Sequence, residues 1–309
     1  MSNTITNKNE PQEGKKKEKR KLKNRNIGAS ILFLTLPLLV YGLFMLYPLA
    51  RAVVLSFYEW DGMTTGVWVG FENYATIFAD SRLSNSFIHA LILIFFYAAV
   101  PIFIGLILAS LLVRAKVKGL GFFRTVVFLP QVIAMVVLAI AWRDIYAPNG
   151  LINTILRAIG LDSLARTWLG DFNTALPAVG LIGTWVSTGL VTVLLMSGIA
   201  RIPKEYYEAA HLDGAGALRQ FWAITIPGVR GEMLVAATLT IIAALKTFDL
   251  IYMTTSGGPG MSTTVPAYEV YNQALKLGHV GIGTSLAVVL TLIIFVINLT
   301  LNWLGERDR

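Results

Sequence analysis

Residues Ala175 to Ile199 read ALPAVGLIGTWVSTGLVTVLLMSGI, and no charged side chain interrupts the run. About 20 residues of α-helix suffice to cross the roughly 30 Å of hydrocarbon in a bilayer. The run therefore predicts a transmembrane helix. Just beyond it, Arg201 to Arg230 read RIPKEYYEAAHLDGAGALRQFWAITIPGVR, a polar segment that cannot continue the span. We call this segment the 201–230 loop.

Five further apolar runs of similar length predict an all-α integral membrane protein with six transmembrane helices. The predicted spans are Ile27–Phe57, Phe87–Val113, Phe122–Trp142, Ala175–Ile199, Met233–Thr255 and Thr284–Leu304. The composition agrees, because 55% of the 309 residues are hydrophobic and 14% are charged, whereas soluble domains carry about 25% charged residues.

The basic residues are unevenly distributed along the chain. The polar N-terminal tail, the segments Arg114–Arg124 and Arg201–Arg230, and the C-terminal end hold 19 of the 26 Lys and Arg residues. Because such residues are retained on the cytoplasmic face, both termini are predicted to be cytoplasmic. Residues 1–26 have the composition of a disordered basic tail, and residues 27–309 form the membrane domain. The net charge of +8 therefore does not indicate a basic folded surface or a nucleic-acid partner.

The sequence offers no constellation for catalysis or for a cofactor bound by this chain. It has no cysteine, which excludes thiolate metal sites and cysteine nucleophiles. It has no Gly-x-x-x-x-Gly-Lys-Ser/Thr loop to hold nucleotide phosphates. The three histidines, His89, His211 and His279, are scattered without metal-ligand spacing. We therefore predict no enzymatic activity and no metal site.

The 201–230 loop has the pattern of two short helices joined by a tight turn. Pro203 suits the first position of a helix, where its missing N–H costs nothing. Asp213-Gly214 can end that helix, since glycine tolerates a positive φ just past a helix end. A second helical segment covers Ala215 to Trp222, and Pro227 begins the fifth span. Such a knob suits docking into a cleft, although an amphipathic loop on the membrane surface fits the same pattern.

A series of residues in this loop resembles, in order and spacing, the EAA loop of binding-protein-dependent ABC importer permeases. They are Glu208-Ala209-Ala210, Asp213-Gly214-Ala215, Phe221, Ile224 and Pro227. Two positions depart from the family pattern: Ile226 stands where leucine is usual, and Arg230 where a second proline is frequent. Both lie at the start of the fifth span, so they affect its entry angle and leave the docking knob intact.

Shorter motifs outside the loop are similar to those of the carbohydrate-uptake permeases within this family. They are VGFENY at 69–74, FR at 123–124, LP at 129–130, NGLIN at 149–153, TFD at 247–249, SGGPG at 256–260 with Thr263, and YNQAL at 271–275. The Gly-Gly-Pro form of the segment after the fifth span resembles the first member of a pair of unlike permeases. The resemblance therefore implies a heterodimer, with a homodimer as the alternative.

The resemblance implies a type I ABC importer permease fold in the inner membrane of a prokaryote. It implies as partners a second permease, two cytoplasmic ATPases that bind ATP and Mg²⁺, and an extracytoplasmic solute-binding protein. It places contact with the ATPases on Tyr207, Glu208, Ala209, Ala210, Asp213, Gly214 and Ala215. The implied cargo is a sugar, an oligosaccharide or a related polyol. A non-sugar solute is the alternative.

Two helical faces carry the small and hydroxylated residues that a path for a polyol needs. They are Gly183, Ser187 and Leu190 on the fourth span, and Thr240, Ala244 and Thr247 on the fifth. The alternative is that these residues only allow helices to pack closely, as small residues do in membranes. We call these six residues the predicted solute path.

A secondary transporter is a second alternative, and it would need charged residues within the membrane to couple ions to solute. Lys246 and Asp249 are the pair that fits, and their spacing on a helical fifth span predicts an ion pair between them. A scaffold membrane protein is a third alternative, but it leaves the motifs outside the loop without a role.

Overall fold

The computed structural model describes residue 31, residues 33–114 and residues 119–306. The predicted basic tail, residues 1–26, lies outside the described residues. The chain divides into two compact units, Met1–Val54 and Leu55–Arg309. In the described part of the first unit, the chain forms helix α1, Phe33–Leu55, whose last residue belongs to the second unit. It contains a π-helical turn at Gly42–Leu46.

The second unit is helical apart from one short hairpin, in which β1 (Tyr58–Glu59) pairs antiparallel with β2 (Val67–Trp68). Its helices are α2 (Glu72–Ala79), α3 (Ser81–Val113), α4 (Gly121–Val132), α5 (Met135–Ile145), α6 (Leu151–Ala158), α7 (Ala175–Ile199), α8 (Lys204–Leu212), α9 (Ala217–Gly228), α10 (Arg230–Leu245), α11 (Asp249–Thr254), α12 (Pro266–Tyr271) and α13 (Val280–Glu306). A π-helical turn, Asn272–Lys276, extends α12.

Among the described residues, α1, α3, α7 and α13 are long and apolar enough to cross a membrane. The number rises to six if the bent pairs α4–α5 and α9–α10 each form one span. The fourth predicted span coincides with α7. Helix α3 begins earlier than the predicted Phe87, because Asp80 caps it by accepting a hydrogen bond from the Arg82 amide at 2.8 Å. The count of six spans and the side of the termini remain predictions.

The third predicted span, Phe122–Trp142, is not one straight helix. Its two parts, α4 and α5, meet at 96°. Pro130 lies inside the last turn of α4, and Ile133 and Ala134 have extended backbone with ψ of 137° and 132°. Proline removes one backbone N–H from the helical ladder, which weakens the last turns of α4.

The fifth predicted span, Met233–Thr255, is also interrupted. Helix α10 ends at Leu245 and α11 starts at Asp249, so Lys246 and Asp249 do not share one helix. Both side chains are exposed, and no ion pair joins them in the described part of the chain. The prediction of an ion pair is therefore wrong. The helix breaks where Thr247 turns inward to a buried hydrogen bond with Tyr97.

Helix α7 lies at the centre of the second unit. Its first half packs against a core that includes Tyr97 of α3 and Leu250 of α11. Its second half packs against another core that includes Leu106 of α3 and Ala236 of α10. Since α7 leads directly into the 201–230 loop, the loop and the α11–α12 region lie at opposite ends of α7.

Candidate functional site

The first helix of the 201–230 loop ends in a hydrogen-bonded cap that the sequence indicates. Helix α8 starts at Lys204, with Pro203 as its N-cap, one residue from the predicted position. At its other end the Ala215 amide donates to the Ala210 carbonyl at 2.8 Å, and the Gly214 amide to that of His211 at 3.0 Å. Gly214 has a φ of +77°, the left-handed conformation that this Schellman cap requires. The predicted helix stop is confirmed.

The predicted contact residues of α8 divide into exposed and anchoring side chains. Glu208, Ala209, Asp213 and Gly214 are exposed. Tyr207 is half-buried, and its hydroxyl hydrogen-bonds that of Thr225 at 3.0 Å. This bond ties α8 to the π-helical turn Phe221–Thr225 within α9. Tyr207 therefore holds α8 against α9, the four exposed residues face outward, and the last two predicted contact residues, Ala210 and Ala215, are half-buried.

Beside the knob lies an open groove of about 950 Å³ between α8, α9 and the end of α7. Its walls include Ile202, Tyr206 and Ile224. At its edge Arg201 and Glu232 form an ion pair that joins the end of α7 to the start of α10. A groove with apolar walls and a charged rim suits the insertion of a protein segment.

Two residues of the predicted solute path contact the same tyrosine. The Tyr97 ring of α3 lies directly on Gly183 of α7, where an added Cβ would be 1.9 Å from ring atom Cε2. The Tyr97 hydroxyl hydrogen-bonds Thr247 Oγ1 at 3.2 Å, and both residues are buried. Gly183 and Thr247, which are predicted path residues on different helices, are therefore brought together.

The other predicted path residues are dispersed. Thr240 is buried, and its hydroxyl donates to the Ala236 carbonyl of its own helix at 2.8 Å. Ala244 and Ser187 are buried and Leu190 is half-buried. A cavity of about 590 Å³ between α3, α4 and α7 is lined by residues of the opposite side of α7, including Thr184 and Thr188, and by none of the six predicted residues.

A family model described as the inner membrane component of binding-protein-dependent transport systems matches residues 101–307. The chain belongs to this family. The probable ABC transporter permease protein YurN of Bacillus subtilis is 38% identical to this permease, over 89% of this chain and 95% of that protein. The diacetylchitobiose uptake system permease protein NgcF of Streptomyces coelicolor is 30% identical, over 96% and 90% of the two chains.

Among solved structures, the permease resembles a bacterial alginate ABC transporter in complex with an alginate pentasaccharide-bound periplasmic protein. The TM-score is 0.76 at 21% sequence identity, over 92% of this chain and 96% of that chain. This likeness shows that the two chains share the ABC importer permease fold.

Two features of this permease could not be predicted from its sequence. Tyr97 lies within an apolar run that gives no sign of its hydrogen bond to a residue 150 positions away. The presence of a tyrosine hydroxyl in an apolar run is the one signal that a bond exists, because a buried tyrosine hydroxyl usually needs a partner. The sequence does not say which residue that partner is. The Arg201–Glu232 ion pair joins two predicted elements, and no spacing rule connects them.

Proposed function

We propose that this permease is one of two unlike transmembrane subunits of an ATP-driven importer for a sugar or an oligosaccharide. It lies in the inner membrane of a prokaryote with both termini in the cytoplasm. Six spans form its half of the translocation path. The family membership, the relative named for diacetylchitobiose uptake and the fold shared with an alginate transporter support this proposal.

The observation that carries the proposal is the geometry of α8 within the 201–230 loop. Its exposed knob includes Glu208 and Asp213, and Tyr207 anchors it through Thr225. A knob that is firmly held and exposed can transmit force from a partner to the spans. We infer that two cytoplasmic ATPases, which bind ATP and Mg²⁺, grip this knob and its counterpart on the second permease. This chain itself binds no cofactor and is not an enzyme.

The solute enters from a binding protein on the other side of the membrane and passes the meeting point of Gly183, Thr247 and Tyr97. The two hydroxyls at this point can exchange their mutual hydrogen bond for bonds to sugar hydroxyls. A secondary transporter has less support, because Lys246 and Asp249 are exposed and lie on either side of a helix break. A non-sugar solute would use the same architecture, and transport assays with sugar and non-sugar solutes distinguish the two alternatives.

Reconstitution tests the proposal. The permease is co-expressed with a candidate second permease, ATPase and binding protein from the same genome, and the purified complex is placed in proteoliposomes. We expect ATP-dependent uptake of at least one of radiolabelled diacetylchitobiose, maltose or cellobiose. We expect Glu208→Lys to abolish that uptake, whereas Glu205→Lys at the start of the same helix preserves most of it. A complex that assembles with its ATPase yet takes up none of the three sugars contradicts the sugar assignment.

A further inference from the structure

Three tyrosine rings surround one ammonium group near the end of α7 that is remote from the 201–230 loop, and a phenylalanine ring packs against all three tyrosines. The rings belong to Phe248, Tyr252, Tyr268 and Tyr271, and the ammonium group is that of Lys276. We call this set the aromatic cage. The Lys276 Nζ atom lies 5.7 Å from the ring centroids of Tyr252 and Tyr268 and 5.5 Å from that of Tyr271.

The rings of the cage support one another. Phe248 stacks on Tyr252 with centroids 5.3 Å apart, and Tyr271 meets both rings at 5.3 Å. The neighbouring Tyr252 hydroxyl raises the pKa of Tyr271. Tyr268 is buried and donates its hydroxyl to the Ser256 carbonyl at 2.7 Å. Contacts within the protein therefore hold the aromatic rings of the cage in place before any solute binds.

The cage is open on the side of Lys276. The Lys276 side chain is exposed, and Tyr252 and Tyr271 are half-buried, so part of each ring faces outward. A lysine over aromatic rings at an exposed site gains only a modest attraction. Its flexible stem can move away without disturbing the rings.

The cage is next in sequence to Thr247, a residue of the predicted solute path. Phe248 of the cage directly follows Thr247, whose hydroxyl bonds that of Tyr97. Consecutive Cα atoms are about 3.8 Å apart. Phe248 also packs against the hydrophobic cluster that includes Tyr97.

We propose that the aromatic cage is a binding subsite for one pyranose ring of the transported sugar, with Lys276 as its movable polar partner. The apolar C–H face of a pyranose fits flat aromatic walls, whose faces are electron-rich. The Lys276 ammonium, with three donors, moves from the rings to the hydroxyls of the sugar. A cationic solute is disfavoured, because it would meet the charge of Lys276. This inference rests on the proposed function, because it assumes that the cargo is a sugar.

Uptake kinetics in the same proteoliposomes test the subsite, with diacetylchitobiose, maltose and cellobiose as the probes. For the probe that the unmodified complex transports, we expect Tyr252→Leu and Tyr271→Leu each to raise KM about 5- to 10-fold with kcat within about twofold, the pattern of lost substrate binding. Lys276→Met should raise KM as well, and Lys276→Arg should restore most of the loss, because it keeps charge and donors.

The matched control is Tyr74→Leu. Tyr74 is a half-buried tyrosine that contacts Phe57 and Phe71 and faces no cation within the described residues. We expect this variant to retain the KM of the unmodified complex, and co-purification with the ATPase verifies the assembly of every variant. Unchanged KM in both cage variants, or an equal increase in Tyr74→Leu, overturns the subsite while sugar uptake by the unmodified complex still supports the proposed function. Absence of uptake of all three probes overturns both.

Discussion

At the scale of single residues, Gly214 combines an unusual backbone conformation with empty surroundings. Its φ is +77°, and an added Cβ would meet no atom within 4 Å. A side chain here would therefore cost energy through the backbone and not through a clash. Gly216, two residues away, also has free space around a Cβ, but its φ of −68° is ordinary. Substitutions at the two glycines therefore distinguish the effect of losing the positive φ at Gly214 from the effect of adding a side chain to the loop.

We expect Gly214→Val to distort the end of α8 at a cost of at least about 1 kcal/mol, because a β-branched side chain disfavours positive φ. The variant should reach the membrane but lose sugar uptake, and either release the ATPase or hydrolyse ATP without responding to the loaded binding protein. Gly216→Val should keep both activities. Normal uptake by Gly214→Val with intact ATPase stimulation would remove the main physical support for the loop as the transmission element.

Glu269 is a carboxyl group buried in an unfavourable setting. It is 1% exposed, its Oε1 has no hydrogen-bond partner among the described residues, and Oε2 accepts from Asn272 at 3.3 Å. Burial raises the pKa of Glu269 above its ordinary value, and the nearby Arg82 opposes this only in part. The folded state therefore binds a proton that the unfolded state has released, and stability falls as the pH rises above the ordinary value.

We expect Glu269→Gln to raise the thermal unfolding midpoint of the detergent-solubilised permease at pH 8 by roughly 1–2 °C, the shift that about 1 kcal/mol produces in a chain of this size. The gain should shrink at pH 4, where both states carry the proton. Glu72→Gln, at an exposed carboxyl, should leave the midpoint unchanged at both pH values. A gain of equal size at pH 4 would show that ionisation is not its cause.

At the scale of helices, the break between α10 and α11 directs Thr247 toward Tyr97. We expect Thr247→Val, which keeps the shape and removes the hydroxyl, to raise the KM for sugar about 3- to 10-fold while the complex assembles. Ser187→Ala should act in the same direction. Thr192→Val is the matched control, because the Thr192 hydroxyl is bonded within its own helix to the Thr188 carbonyl at 2.7 Å. If all three variants show the kinetics of the unmodified complex, close packing explains the small residues.

The helices also mark how far the sequence predicts this structure. The bounds of α7 and the turn at Gly214 follow from local properties, namely an uninterrupted apolar run and a glycine after a helix. The bends at Ile133–Ala134 and Thr247–Phe248 do not, because hydropathy averages over a window and is insensitive to backbone direction. Tyr97 and the aromatic cage depend on contacts between distant segments, which no spacing within one segment encodes.

At the scale of the whole molecule, the absence of cysteine makes the orientation of the chain in the membrane directly testable. A single introduced cysteine would be the one reactive thiol of the chain. Leu212, in the 201–230 loop, is 87% exposed, and Met63, between β1 and β2, is 94% exposed. We expect an impermeant maleimide to label Met63→Cys in intact spheroplasts and Leu212→Cys only in inverted vesicles. The reverse pattern would place the loop, and both predicted termini, on the wrong side for cytoplasmic ATPases.

Helix α7 has a mechanical consequence, because it reaches from the 201–230 loop to the region of Tyr97 and Phe248. Its 25 residues form an unbroken rod of about 37 Å. A rod of that length that pivots about its middle by about 10° moves each end by about 3 Å in opposite directions. The pull of an ATPase on one end would then appear as an opposite displacement at the sugar. Paired spin labels at the two ends of α7 should keep a constant separation with and without nucleotide, while each end shifts against α3.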